Sequence, residues 1–323
     1  MSIRFEQVEH ARKLLSAYLP RTRLVPAEFL SRRMGAPIWL KLESEMPTGS
    51  FKPRGAIYAL SCRLEQAKVS EVVTCSTGNH GAAVAYAAKL LGVHATIFLP
   101  SNANPVKRER IAQLRARIVE EGADLAAASE RAGEYARTKG VYFLDDSTAP
   151  DLPAGPATIA CEILEQLPAT ETIYVPIGDT ALIRGVGTAA KHLRPKVRII
   201  GVQAERAPAY YLSWKQGRPV ATETCGTIAD GLATRTPGEA NVREIRSLVD
   251  DVFLVSEEQM LRAIRILLLE EHVVAEPAGA AATAALLTQP EPVLPNTVLL
   301  VSGANISANV LRRAVIEGSE ESA

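Results

Sequence analysis

Short apolar, β-branched runs alternate along this chain with longer segments in which Ala, Leu and Glu recur at helical spacing. Seven runs read as strands: VVTCS (72–76), ATIFLP (95–100), VYFLDD (141–146), TIYVPIG (172–178), VRIIGVQ (197–203), DVFLVS (251–256) and TVLLVSG (297–303). Helical periodicity marks AIYALSCRLEQAK (56–68), GAAVAYAAKLLG (81–92), VKRERIAQLRAR (106–117), AGPATIACEILEQL (154–167), ALIRGVGTAAKHL (181–193) and EEQMLRAIRILLLEEH (257–272). Ser256 followed by Gln259 predicts a capping box at the start of the last of these. Strands that are apolar almost throughout belong in a sheet covered on both faces. The alternation therefore predicts an α/β, three-layer fold with a mostly parallel sheet. Pro47-Thr48-Gly49 and the stretch Ser147 to Gly155 break the pattern. They delimit a small lobe, 47–150, inserted into a large lobe made of 1–46 and 151–323. The polar end, Glu317 to Ala323, reads as a frayed tail.

Composition narrows the function classes. Lys plus Arg and Asp plus Glu both number 36 in 323 residues, so the formal charge is zero. Such a balance implies no nucleic acid and no membrane surface as partner. The four cysteines (62, 75, 161, 225) form no CxxC pair, which argues against a zinc site or a disulfide framework. Cys75 reads as a buried structural thiol. The N-terminus, MSIRFEQVEHARKLL, lacks the apolar centre of a signal peptide, and no apolar run is long enough to span a bilayer. A cytoplasmic protein that handles small molecules is the expectation.

In open α/β sheets, ligands bind beyond the carboxyl ends of the strands. Three predicted strands end in small, polar loops: STGNHG (76–81), GDTALIRG (178–185) and SGANIS (302–307). Lys52 lies in PTGSFKPRGA (47–56), between Phe51 and Pro53 and just before a helix. A lone lysine at such a junction is ordinarily a solvated charge. Desolvated among polar loops, a lysine can instead form a Schiff base with a carbonyl. Two of the loops open helices, whose N-termini suit a carboxylate or a phosphate. Capping by Ser76 or Thr77 is the plainer account of STGNHG, but it explains only one of the loop's polar residues.

These elements, in this order, resemble the fold-type II pyridoxal-phosphate enzymes, especially their serine/threonine dehydratase branch. GSFKPRGA resembles the cofactor-lysine motif, STGNHG the substrate-carboxylate loop and SGAN the pyridine-nitrogen loop. TIADGLATRTPGE (227–239) and AEPAGAAATAAL (275–286) also resemble that branch, and the likeness runs from about Arg21 to Ser307. It implies pyridoxal 5′-phosphate carried on Lys52, with Phe51 packed near the ring and Asn79 bonding the ring's phenolic oxygen. Residues Gly178, Asp179, Thr180, Ala181 and Leu182 would hold the phosphate, and Ser302 would face the pyridine nitrogen. Ser76, Thr77, Gly78 and His80 would line the substrate-carboxylate pocket.

The implied activity is α,β-elimination from a hydroxy amino acid such as L-threonine or L-serine, giving a 2-oxo acid and ammonia. Thr77 stands where serine racemases carry a hydroxyl, so it is a second candidate catalytic residue beside Lys52 and keeps racemisation open. A dehydratase for a larger substrate, such as phenylserine or hydroxyaspartate, also stays open, as does a non-catalytic binding protein on the same fold. Two departures stand out. The family's glycine run is replaced by Gly178-Asp179-Thr180-Ala181, where Asp179 is expected to point away from the phosphate. Gln203 and Ala209 replace the carboxylates of the family's cation site, so no divalent metal is expected there. The resemblance also implies a homodimer, and no regulatory region is expected after the catalytic fold.

Overall fold

The computed structural model describes residues 2–101, 105–289 and 292–317. Ten strands form two sheets: β1 (Leu24–Pro26), β2 (Ile38–Leu42), β3 (Glu71–Cys75), β4 (His94–Leu99), β5 (Arg117–Glu120), β6 (Tyr142–Phe143), β7 (Thr172–Pro176), β8 (Arg198–Ala204), β9 (Asp251–Val255) and β10 (Thr297–Val301). One sheet has the order β1-β2-β10-β7-β8-β9 and the other β5-β4-β3-β6. Every pairing is parallel except that of β1 with β2. The smaller sheet is drawn wholly from residues 71–143, between the strands of the larger one. All five residues of β7 and of β10 are buried, as strands covered on both faces must be.

The seven expected strands form, and the capping box is present, with Ser256 Oγ accepting from Gln259 N and Gln259 returning the bond. Three further strands, β1, β2 and β5, carry no clear signal in the sequence pattern. The segment 106–117 splits instead of forming one helix. Its helix ends at Gln113, Arg115 takes a left-handed turn (φ 64°), and Arg117 starts β5 against β4. The run 141–146 keeps only two strand residues, because the chain folds back on Asp145. Its Oδ1 accepts from Ser147 N at 3.1 Å and Thr148 N at 2.9 Å. That turn leaves Asp146 at the carboxyl end of the small sheet. Of the polar tail, residues 318–323 lie outside the described residues.

The helix Lys52–Gln66 is anchored by charge as well as by packing. The buried Arg54 guanidinium donates to Glu43 at 2.8 and 2.9 Å, to Glu162 at 2.6 and 3.0 Å, and to Thr158 Oγ1 at 2.9 Å. Lys41, buried in β2, also donates to Glu162 Oε2 at 2.6 Å. Burial disfavours the Arg54 charge, yet the two carboxylates more than offset this and hold its pKa above the ordinary value. The lysine-bearing helix is thereby tied to the end of β2 and to the Ala154–Gln166 helix.

Candidate active site

Lys52 opens its helix because Pro53 suits a first turn and the preceding segment is pinned to the end of β10. Phe51 N donates to Ser302 O at 3.0 Å, Ser50 bridges Gly303, and Ala304 N donates to Gly49 O at 2.9 Å. Gly49, at φ 68°, makes the turn that permits this. The Lys52 ammonium sits 5.3 Å from the centre of the Phe51 ring. It forms an ion pair with Asp146 Oδ2. The two side chains are only 16% and 14% exposed, so the amine is largely shielded from water. Burial raises the Asp146 carboxyl, but the Lys52 ammonium, joined by the His80 ring when that is protonated, outweighs it and holds the group below the usual carboxylate range.

Ser76, Thr77, Gly78 and Asn79 follow β3 and are half-buried. Gly78, not Ser76 or Thr77, occupies the N-cap of the Asn79–Leu91 helix, with no side-chain cap. The helix's first amides thus lack a side-chain cap, while Ser76 Oγ accepts from Gly78 N at 3.2 Å within the loop. Asn79 Nδ2 donates to Glu276 Oε1 at 2.7 Å, and Asn79 Oδ1 accepts from Asn305 Nδ2. One amide hydrogen of Asn79 remains after these bonds. His80 lies deeper than a substrate pocket requires. It is 5% exposed, with Nε2 3.1 Å from Leu144 O and Nδ1 3.5 Å from Asp146 Oδ1.

Gly178 turns the chain from β7 into the Ala181–Leu193 helix. A Cβ there would lie 2.1 Å from Gly231 O, so only glycine fits against the TIADGLA segment. Thr180 is the N-cap at φ 70°, a left-handed conformation costly for threonine. It provides no side-chain cap, and Ala181 and Leu182 begin the helix buried. Asp179 accepts from Thr234 Oγ1 at 3.2 Å and feels both Asp146 and Lys52. Burial, reinforced by the Asp146 charge, pushes its carboxyl up to about 6.

The lysine motif, asparagine loop, 178–182 turn and Ser302 are thus brought together by direct contacts or through Asp146 and Asn305. Asp146, Glu276 and Asn305 belong to the constellation, although the sequence motifs do not single them out. An acidic pair ending an apolar run, Asp145-Asp146, is the available signal for the first. Cys75 is half-buried rather than fully enclosed, yet burial still pushes its thiol up to about 12, which leaves it inert. Gln203 engages its amide oxygen with Tyr211 N at 2.9 Å, and Ala209 begins a helix.

The arrangement fits a phosphorylated aldehyde. It offers a shielded amine, an uncapped helix N-terminus over a glycine turn, and a serine at a strand end. Residues 15–303 match the family model described as "Pyridoxal-phosphate dependent enzyme". The L-threonine ammonia-lyase of Thermotoga maritima is 36% identical over 98% of this chain and 79% of its own length. Among solved structures, a threonine deaminase from T.th. superposes with a TM-score of 0.89 at 31% identity, covering 94% of this chain and 99% of that one. Maize serine racemase gives a TM-score of 0.90 at 30% identity, covering 99% of each. With a family match across most of its length and relatives of this similarity, the chain belongs to the pyridoxal-phosphate dependent enzymes, in the fold shared by threonine deaminases and serine racemases.

Proposed function

We propose that this protein eliminates the β-hydroxyl of a small hydroxy amino acid, L-threonine or L-serine, and releases a 2-oxo acid and ammonia. The carrying observation is the shielded Lys52 amine, paired with Asp146 and close enough to the 178–182 turn for Asp179 to sense both charges. Relatives named for threonine ammonia-lyase and deaminase activity supply the substrate class.

Lys52 would hold the cofactor covalently, and the remaining N–H of Asn79 would bond its phenolic oxygen. The backbone from Gly178 to Leu182 would bind its phosphate, and Ser302 would face its ring nitrogen. When bound, pyridoxal phosphate supplies the electron sink for charge that develops at the substrate Cα. The chain supplies position and proton transfer. Amides of the Ser76–Asn79 loop hold the substrate carboxylate at a helix N-terminus, which orients the Cα–H toward Lys52. The freed Lys52 amine takes that proton. Ser302 carries no negative charge to stabilise a proton on the ring nitrogen, which favours prompt loss of the β-group. The described helices include none long and apolar enough to cross a membrane. A cytoplasmic homodimer completes this reading.

The test is Lys52→Ala in parallel with wild type. Borohydride reduction followed by peptide mapping should place the cofactor on residue 52 of wild type only. The variant should release no 2-oxo acid from L-threonine or L-serine. Racemisation is the second reading, supported by the half-buried Thr77 in the loop after β3 and by the likeness to maize serine racemase. Formation of D-serine at a rate matching 2-oxo acid release would favour it, and Thr77→Ala would then abolish it selectively.

A further inference from the structure

The His80 ring is fixed from both sides, and those contacts constrain its protons. Nε2 lies 3.1 Å from the Leu144 carbonyl oxygen, which only accepts, so Nε2 carries a hydrogen. Nδ1 lies 3.5 Å from Asp146 Oδ1. In the neutral ring this nitrogen turns a lone pair toward a carboxylate oxygen, and the two repel. A second proton at Nδ1 converts the contact into a charge-assisted attraction. The other oxygen of the same carboxylate, Oδ2, receives the Lys52 ammonium. One buried carboxylate therefore touches the reactive amine on one side and faces a protonatable ring on the other.

The surroundings isolate this chain of groups. Arg184 adds attraction to Asp146, whereas Asp179, from the 178–182 turn, adds repulsion, and Asp145 acts on Asp179 in the same sense. Arg184 has its own partner, Glu244 Oε2 at 3.5 Å, and Asp179 has Thr234. Among the described residues, His80 is the one protonatable ring paired with Asp146. A purely structural histidine would need only the Leu144 bond. It would not need a carboxylate that also holds the catalytic amine.

We propose that Asp146 and His80 form a proton relay serving Lys52. This inference rests on Lys52 being the cofactor-bearing base of the proposed reaction. After Lys52 takes the substrate α-proton, the electron pair of the broken C–H bond stays with the substrate and the lysine is an ammonium. The Nζ–H bond breaks as an O–H bond forms at Asp146 Oδ2; the neutral carboxyl group then rotates to turn that hydrogen toward His80, and the O–H bond breaks as an Nδ1–H bond forms. Asp146 is unchanged, the ring becomes an imidazolium, and no electrons pass between the residues. Lys52 regains the lone pair it needs to rejoin the cofactor. Asp146 is then a catalytic residue, because it touches the reacting nitrogen, and His80 acts through it.

Two variants of the cofactor-loaded protein test the relay. Asp146→Asn keeps the shape and removes the charge beside the lysine nitrogen. The pH midpoint for loss of the visible absorbance band of the lysine-bound cofactor should move down by about one unit or more. His80→Gln keeps a donor for the Leu144 carbonyl but cannot take up a proton. It should lose one limb of the pH profile for α-deuterium washout from L-[α-²H]serine, while cofactor stays attached to Lys52. An unmoved absorbance midpoint in the first variant, or an unaltered washout profile in the second, overturns the relay. Each variant tests the relay by itself, should the other fail to fold. Borohydride mapping keeps the two readings apart. Cofactor absent from residue 52 of wild type defeats the family-based mechanism, whereas cofactor present there with both profiles unchanged defeats only the relay.

Discussion

Asn79 and Glu276 are 197 residues apart in sequence, yet the asparagine amide donates to Glu276 Oε1 at 2.7 Å. The same carboxylate takes the backbone N–H of Asn305 on its other oxygen at 3.1 Å. Glu276 N in turn donates to Gly303 O at 3.0 Å. Glu276 thus ties the asparagine loop of the smaller sheet to the end of β10 in the larger one. Asn79 is held in one orientation, with its remaining N–H fixed in direction.

Glu276→Gln exchanges one acceptor oxygen for a donor, so either Asn79 or the Asn305 amide loses its partner. A lost bond of this kind is worth about 1 kcal/mol, or about fivefold in affinity. The dissociation constant for pyridoxal phosphate, followed by absorbance on titrating the apoprotein, should rise by about that factor. Unchanged affinity would show that Asn79 keeps its orientation without the carboxylate.

Gly81 packs against the Ser76–Asn79 loop. A Cβ on this residue would lie 2.4 Å from Ser76 O, with Ile97 and Ile111 behind it at 3.4 Å. Neither the backbone oxygen nor the buried isoleucines can move freely, so Gly81→Ala must displace the Ser76–Asn79 loop. The amides lost from alignment are those assigned to the substrate carboxylate. Steady-state kinetics should show KM raised on the order of tenfold or more, with the cofactor absorbance retained. A KM equal to that of wild type would place the carboxylate elsewhere.

The sequence reveals residues whose chemistry is local and conceals those whose meaning depends on a distant partner. Lys52, the STGNHG loop and the turn at Gly178 stand out because each sits at a break between a strand or loop and a helix. β2 is hidden because Lys41 interrupts its apolar run and reads as a solvent-facing charge, although it is buried and paired with Glu162. β5 is hidden by Arg117 and Glu120, which are exposed at its ends. Asp146 reads as the end of a strand and Glu276 as a polar residue before a helix. Their partners, Lys52 and Asn79, lie 94 and 197 residues away. His80 is visible in its motif, but its partners Leu144 and Asp146 are not, because no local pattern shows which carbonyl a ring nitrogen will meet.

Asp179 gives a pH-dependent prediction. Burial, then the Asp146 charge, raises its carboxyl from 3.8 to about 6. The unfolded chain therefore gives up this proton at lower pH than the folded one. Between those two values the native state binds more protons, so this group lowers stability as pH rises through the window. The change Asp179→Asn removes the ionisation. Urea unfolding of the apoprotein should show the variant gaining on wild type as pH rises from about 4 to about 6, with the advantage then constant. Phosphate repulsion disappears as well, so the cofactor should bind more tightly above about pH 6. An advantage that is independent of pH would remove titration of Asp179 as its cause.

Arg54, two residues after Lys52, should matter through the charges it balances. Arg54→Met leaves Glu43 with no guanidinium and Glu162 with Lys41 and the neutral donors of Thr22. Removing one partner from a buried ionic cluster costs about 3–5 kcal/mol, since the remaining carboxylates stay desolvated. The cost should be greatest near neutral pH. In the wild type, burial would raise the Glu162 carboxyl, but Arg54 and then Lys41 hold it below its ordinary 4.5. Stability from this group is thus present above 4.5 and lost as pH falls through the depressed value. The variant lacks most of that depression, so it has less to lose on acidification. Urea titrations at neutral pH and at about pH 4 should show the gap between the proteins narrowing. A gap of constant size would mean that Arg54 stabilises its helix by packing rather than by pairing with Glu43 and Glu162.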